Sequence, residues 1–251
     1  MLWPRTKKNM AISTESLWVP DWPLPEGVGC AITTRLGGSS KGPYDSNNLG
    51  LHVGDSRAAV KQNRTALLRR LADVQAIQWL NQVHGTDVVQ ASGAAVVPQA
   101  DACFSRQPGL ACSVMTADCL PLLIAAADGS QVAAVHAGWR GLAEGIIGRT
   151  LARFDGDVSA YLGPAIGPEC FEVGPEVRDA FHWAPDHCFR PSTNGRLMAD
   201  LYRLANSALL RHGVRSVYGG DACTYSEPQR FYSYRRDGIT GRMASLIWIK
   251  R

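Results

Sequence analysis

The sequence predicts an α/β fold in which a sheet is covered on both faces. Three observations lead there. Strand-length runs at 110–115, 122–127 and 131–136 are apolar almost throughout, where a strand with one wet face would alternate. Amphipathic helical stretches with capping residues are interspersed among them. The 251 residues are 45% hydrophobic and only 19% charged, which supports a packed core over disorder. No repeat, low-complexity tract or linker divides the chain, so residues 1–251 read as a single domain.

Taken in order, residues 1–26 are rich in Trp and Pro and read as an irregular leader. A strand follows at 28–34. It runs into a turn-rich loop through Asp55, in which Gly37 and Gly42 have the spacing of a nucleotide P-loop. Pro43-Tyr44 stands where that loop needs Lys and Ser/Thr, so the P-loop is excluded. Asp55 or Ser56 can cap a helix whose apolar face is Val60, Leu67, Leu68 and Leu71. Strands are expected at 77–83, 87–90, 101–105, 110–115, 122–127 and 131–136. A helix at 141–154 precedes a strand at 158–162, which ends in Gly163-Pro164-Ala165-Ile166-Gly167-Pro168. A short helix is expected at 176–183. Asp200 can cap a helix at 201–212, stopped by Gly213. Strands at 214–218, 230–234 and 243–249 close the chain, with Asp237-Gly238 in the turn between the last two.

Composition narrows the function. Net charge is +4 and the Lys and Arg residues are scattered, which argues against nucleic acid but leaves room for a phosphate-bearing small molecule. The apolar run at 119–127, between Asp118 and Asp128, is too short for a membrane span. Arg5, Lys7 and Lys8 precede Ser, Thr and Glu where a signal peptide needs an apolar run, so a cytoplasmic protein is expected. The seven cysteines are odd in number and lack a CxxC pair, which fits free thiols rather than a disulfide framework.

The chemistry concentrates between Gln82 and Gly141. His84, Cys119 and His136 each close a hydrophobic run and open into a turn. Two imidazoles and a thiolate suit zinc and leave one coordination position free. Each residue alone reads first as core, and the spacing matches no compact zinc motif. Arg35 in the Gly-rich loop and Arg140 near a ligand suit bidentate phosphate binding, with loop bracing and stacking on Trp139 as the alternatives. Asn48 and His52 can hydrogen-bond a ribose or base. Asp118, beside Cys119, can act as a general acid or accept the outer N–H of a ligand histidine.

The segments Thr33-Thr34-Arg35-x-Gly37-Gly38, Gly42-Pro43-Tyr44, Asn48-Leu49-Gly50, His52-Val53-Gly54-Asp55, Gln82-Val83-His84-Gly85, Ala117-Asp118-Cys119-Leu120-Pro121, His136-Ala137-Gly138-Trp139-Arg140-Gly141, Gly163-Pro164-x-Ile166-Gly167-Pro168 and Phe231-Tyr232-Ser233-Tyr234-Arg235-Arg236-Asp237 resemble the YfiH family. That family is also described as multicopper polyphenol oxidase, laccase-like, or peptidoglycan editing factor. The resemblance covers residues 28–249 in order. It implies a four-layer α/β/β/α sandwich with mixed sheets and one zinc on His84, Cys119 and His136. It also implies phosphorolysis of purine nucleosides, including methylthioadenosine, and deamination of adenosine. Zinc suits attack at the purine C6, because it lowers the pKa of a coordinated water to about 7.

Three rival readings follow from the same residues. Copper accepts His and Cys, giving a polyphenol oxidase, but a multicopper centre needs many histidines and the chain has six. Cys119 free of metal could be the nucleophile of a hydrolase editing peptidoglycan precursors. A closed site, with Cys112 or Cys223 as fourth ligand, would instead mark a metal-stabilised binding module.

Overall fold

A computed structural model describes residues 16–94 and 96–251. Most of the leader expected at 1–26 therefore lies outside the described residues. Its last part is not wholly irregular, because Leu17–Trp18 (β1) pairs antiparallel with Val28–Thr33 (β2). In order follow the helix Arg57–Arg70 (α1) and the strands Ala76–Gln78 (β3), Val88–Gln90 (β4), Ala102–Ser105 (β5), Leu110–Thr116 (β6), Leu120–Ala126 (β7) and Val132–Ala137 (β8). Then come Trp139–Ala143 (α2), Ile146–Leu151 (α3), Val158–Leu162 (β9), Glu172–Val173 (β10), Pro175–Ala180 (α4), Phe189–Pro191 (β11), Leu197–Ala199 (β12) and Leu201–Arg211 (α5). Ser216–Gly219 (β13), Tyr234–Asp237 (α6) and Met243–Ile249 (β14) end the chain.

Two mixed sheets carry the fold. One has the order β1-β2-β14-β6-β3 and the other β13-β9-β7-β8-β5-β4. The apolar strands are explained by what lies on each side of them. Along β7, Leu122 and Ile124 face a cluster with Leu142, Ile146, Ile147, Leu204 and Leu209 of the helices. Leu123 and Ala125 alternate with them and face Ile32, Cys112, Val114 and Ile247 of the other sheet. The outer face of the β1-β2-β14-β6-β3 sheet packs Ala31, Ala111, Leu246 and Trp248 against Leu67 and Leu71 of α1 and the turn after it. The layers therefore run helix, sheet, sheet, helix, as the family resemblance implies. A strand buried on both faces has period-2 geometry without a period-2 polarity pattern.

Helix starts agree with their caps. Ser56 accepts from the Ala59 N–H at α1, and Asp200 accepts from the Arg203 N–H at α5. Four expectations need correction. The strand at 77–83 stops at Gln78, and only an isolated bridge joins Asn81 to Gln99. The helix at 141–154 is two pieces, α2 and α3, separated at Gly145, whose φ is +92°. The strand at 214–218 begins only at Ser216. The strand at 230–234 and its hairpin are absent. Ser233 instead caps α6, and the Arg236 guanidinium takes the carbonyls of Thr224, Tyr225 and Phe231 that a ladder would have used. A small sheet, β10-β12-β11, was not legible from the sequence. Among the described residues, no helix is long and apolar enough to cross a membrane.

Leu123 is fully buried between the sheets. Leu123→Ala should lower unfolding free energy by about 2–5 kcal/mol in urea titration; an unchanged midpoint would contradict this packing.

Candidate metal centre

The second sheet brings three loop ends together. His84 follows the strand remnant around Asn81, Cys119 immediately precedes β7, and His136 lies near the end of β8. Pro121 pairs with His136 across the antiparallel β7/β8 ladder, which places Cys119 beside that histidine. Their ligand atoms all lie within 4.8 Å of one another. Cys119 Sγ is 3.8 Å from His84 Nε2, and the two imidazole rings meet edge to face at 4.8 Å between centroids. Burial is graded: His136 is buried, Cys119 half-buried and His84 exposed. The group is therefore rooted in the core on one side and open to solvent on the other.

One carboxylate organises it. Asp101 is fully buried just before β5. Its Oδ1 accepts from His136 Nδ1 at 2.7 Å and from the His84 backbone N–H at 2.9 Å. Its Oδ2 accepts from the N–H groups of Val83 and Gly85 at 3.1 and 2.8 Å. Burial pushes the Asp101 carboxyl up, but the His136 bond and the Gly85 and Val83 N–H groups outweigh it and hold the acid below its ordinary range. A proton on His136 Nδ1 leaves Nε2 as the free donor atom, the tautomer a metal needs. The same oxygens hold the 83–85 turn, where His84 has φ +62°, a conformation costly for a side chain of this kind.

The residues fit a metal ion on two further grounds. A Cβ at Gly138 would lie 3.0 Å from His84 Cδ2, 3.2 Å from Cys119 Sγ and 3.5 Å from His136 Cε1, so only glycine leaves the trio room to converge. Burial raises the Cys119 thiol, yet His136 and His84 overcome it and bring the thiol down to about 6. Burial lowers His136, and Cys119 and Asp101 reverse that to about 9. A deprotonated sulfur is the form that a divalent cation would bind here.

The remaining predicted residues fall in three places. His52 is exposed, and burial lowers its pKa, helped by the nearby charges of Arg242, Arg64 and His136. It thus borders the trio. Arg140 is exposed beside it in sequence, with its guanidinium 4.3 Å from the Trp139 ring centroid and no carboxylate partner among the described residues. Arg35 and Asn48 are braces. Arg35 gives its N–H groups to the carbonyls of Asp45 and Pro228, and Asn48 is fully buried, bonding Gly50, Asp55 and the Arg242 N–H. Both amide hydrogens of Asn48 are taken, by Gly50 and Asp55, while Arg35 is fixed by three such bonds and keeps further N–H donors.

Asp118 also departs from expectation. The N–H of the ligand histidine goes to Asp101, not to Asp118. Both Asp118 oxygens already accept, from the Thr224 hydroxyl at 2.6 Å and the Arg235 N–H at 2.7 Å. This fits a brace that holds the backbone before Cys119, where Asp118 itself has φ +97°, rather than a proton donor. Sequence reasoning missed Asp101 and Arg242. Burial lowers Arg242, while the charges of Cys119 and Asp118 act on it in the opposite sense, which puts the guanidinium within electrostatic reach of the trio. A cleft of about 770 Å³ lined by Pro23, Phe154, His212 and Tyr218 shares no residue with this group.

The chain matches a family model described as multi-copper polyphenol oxidoreductase laccase over residues 29–250. It is 52% identical to a purine nucleoside phosphorylase of Pseudomonas aeruginosa, covering 92% of this chain and 97% of that one. Purine nucleoside phosphorylase YfiH of Escherichia coli is 47% identical over 93% and 98%. A Neisseria meningitidis protein of the DUF152 family superposes with a TM-score of 0.90 at 47% identity, over 94% and 100% of the two chains. YlmD from Geobacillus stearothermophilus superposes with a TM-score of 0.89 at 32% identity, over 95% and 98%.

Asp101→Asn should weaken metal affinity about 10–100-fold in a chelator competition, with the circular dichroism spectrum retained. Gly138→Ala should lower the metal content of the purified protein; full occupancy would show that the methyl group is accommodated.

Proposed function

The chain belongs to the YfiH family, and from that premise we propose that it is a zinc-dependent purine nucleoside phosphorylase that also deaminates adenosine. The observation that carries this reading is the convergence of His84, Cys119 and His136 around Gly138, open to solvent on the His84 side. Relatives 47–52% identical over most of the chain carry the phosphorylase name. Zinc is favoured over copper because one thiolate and two imidazoles suit it and the site is a single three-ligand group.

Phosphorolysis joins a phosphate oxygen to the ribose C1′ and breaks the bond from C1′ to the purine nitrogen. The base leaves with the electron pair and takes a proton. The chain must therefore hold an anion beside a sugar and favour the charge on the departing purine. We assign the anion to Arg242 and Arg140, with the His52 imidazole as a hydrogen-bonding group at the rim of the trio. Arginine suits phosphate through paired N–H donors, and a partly desolvated guanidinium binds it more tightly than one in bulk water. Asp101 acts through His136 and the 83–85 turn, so it is a positioning residue. A bound zinc would supply Lewis acidity to substrate or water at this site, for phosphorolysis and for attack on C6 of adenine. Substrates are then purine nucleosides, including methylthioadenosine, with phosphate as co-substrate, and a cytoplasmic location fits them.

The test is a product analysis of adenosine with and without phosphate. Adenine with ribose phosphate, formed only when phosphate is present, supports phosphorolysis, and inosine supports deamination. His84→Ala and Cys119→Ala should lose zinc and turnover together; full activity in a zinc-free variant would refute the scheme. Metal analysis after growth without added copper decides between zinc and copper. Arg242→Met should raise KM for phosphate about tenfold or more, the loss of one charge-assisted contact, with metal content unchanged.

A further inference from the structure

Two cysteines that this reaction does not use lie together beside the site. Cys170 and Cys223 are half-buried free thiols. Cys223 Sγ accepts from the Gly167 N–H at 3.2 Å and from the Ser226 hydroxyl at 3.0 Å. Gly167 permits that approach, since a Cβ there would lie 3.0 Å from the sulfur. The same hydroxyl oxygen is 3.6 Å from Cys170 Sγ. The two sulfurs are thus no farther apart than those two lengths laid end to end. With the Ser226 hydrogen directed at Cys223, the Cys170 S–H is left to donate to Ser226.

This arrangement makes the two thiols unequal. Burial raises Cys223, but the Ser226 hydroxyl and the N–H groups of Ser226, Gly167 and Tyr225 bring it below its ordinary value. Cys170 is raised, first by burial and then by the neighbouring Cys223 charge. A readily ionised thiol next to a protonated one is the pairing in which the first is attacked by oxidant and the second resolves the product. The segment is also tied to the metal centre. Thr224, next to Cys223, bonds the Ala165 carbonyl through its N–H and Asp118 through its hydroxyl, and Asp118 adjoins Cys119.

We propose that Cys223 and Cys170 form a dithiol pair oxidised by hydroperoxides, and that its disulfide slows the adjacent site through Thr224 and Asp118. The Cys223 thiolate attacks one peroxide oxygen. The S–O bond forms, the O–O bond breaks, and the departing oxygen takes a proton from water. Cys170 sulfur then attacks Cys223 sulfur, the S–S bond forms, and the hydroxyl leaves as water with the Cys170 proton. The two sulfurs lose two electrons in all, and the peroxide gains them.

The effect on turnover rests on the phosphorylase reading; the disulfide does not. The experiment treats the metal-loaded protein with hydrogen peroxide and maps its peptides. The expected result is one cross-linked Cys170–Cys223 peptide, an unmodified Cys119 peptide, and a several-fold fall in nucleoside turnover that dithiothreitol reverses. In Cys170→Ser the cross-link should vanish and dimedone should capture Cys223 as the sulfenic acid. Absence of the cross-link with Cys223 unmodified overturns the pair. A quantitative cross-link with unchanged turnover overturns its link to the site. Absence of turnover before any peroxide is added counts against the phosphorylase reading, and the peptide map still decides the pair.

Discussion

The site depends on one buried carboxylate with four donors. Asp101 accepts from the His136 ring and from three successive backbone N–H groups, those of Val83, His84 and Gly85. The ring bond selects a tautomer, and the backbone bonds hold a turn that His84 would not adopt unaided. A buried charge of this kind is costly unless its lone pairs are used, and here the donors are two of the candidate ligands, His84 and His136, and the backbone on either side of His84. Orientation of the ligands and stability of the carboxylate are therefore one constraint.

The surrounding fold supplies what that constraint needs. The antiparallel β7/β8 pairing sets Cys119 against His136 from the core side, and the packing of the two sheets fixes that pairing in place. Gly138, just before α2, leaves open the space that a Cβ would fill between the three ligand side chains. The exposed edge of the trio carries the Arg140 guanidinium and the His52 imidazole, with Arg242 behind them. An apolar, rigid floor and a basic, open rim suit a small anionic co-substrate next to a neutral nucleoside.

A second set of interactions braces the loops that wall the site. Arg35 and Arg236 spend donors on carbonyls of other segments, Asn48 ties Gly50 to Asp55, and Asp118 spends its acceptors on Thr224 and Arg235. Irregular segments that lack a ladder still need partners for their backbone groups, and charged side chains provide them. The same economy explains why residues 230–233 are buried without being a strand.

The helix caps and the doubly covered strands were legible in the sequence, because each depends on residue type and short-range periodicity, whereas the ligand trio was carried by the family resemblance of its motifs. Ser56 and Asp200 act on N–H groups three residues away, and an apolar strand carries its own evidence of two covered faces. Asp101 was not legible: it reads as the first residue of an ordinary strand, and its four partners come from segments 16 to 35 residues distant along the chain. Arg35 and Arg242 show the same limit from opposite sides. Both are arginines in Gly-containing loops that give N–H groups to backbone carbonyls, and only the packing of those loops decides which guanidinium lies within electrostatic reach of the trio. Sequence determined which atoms could hold a metal and where the backbone would turn. Tertiary structure decided which charges satisfy one another, because that choice is made through space between segments with no local record of it.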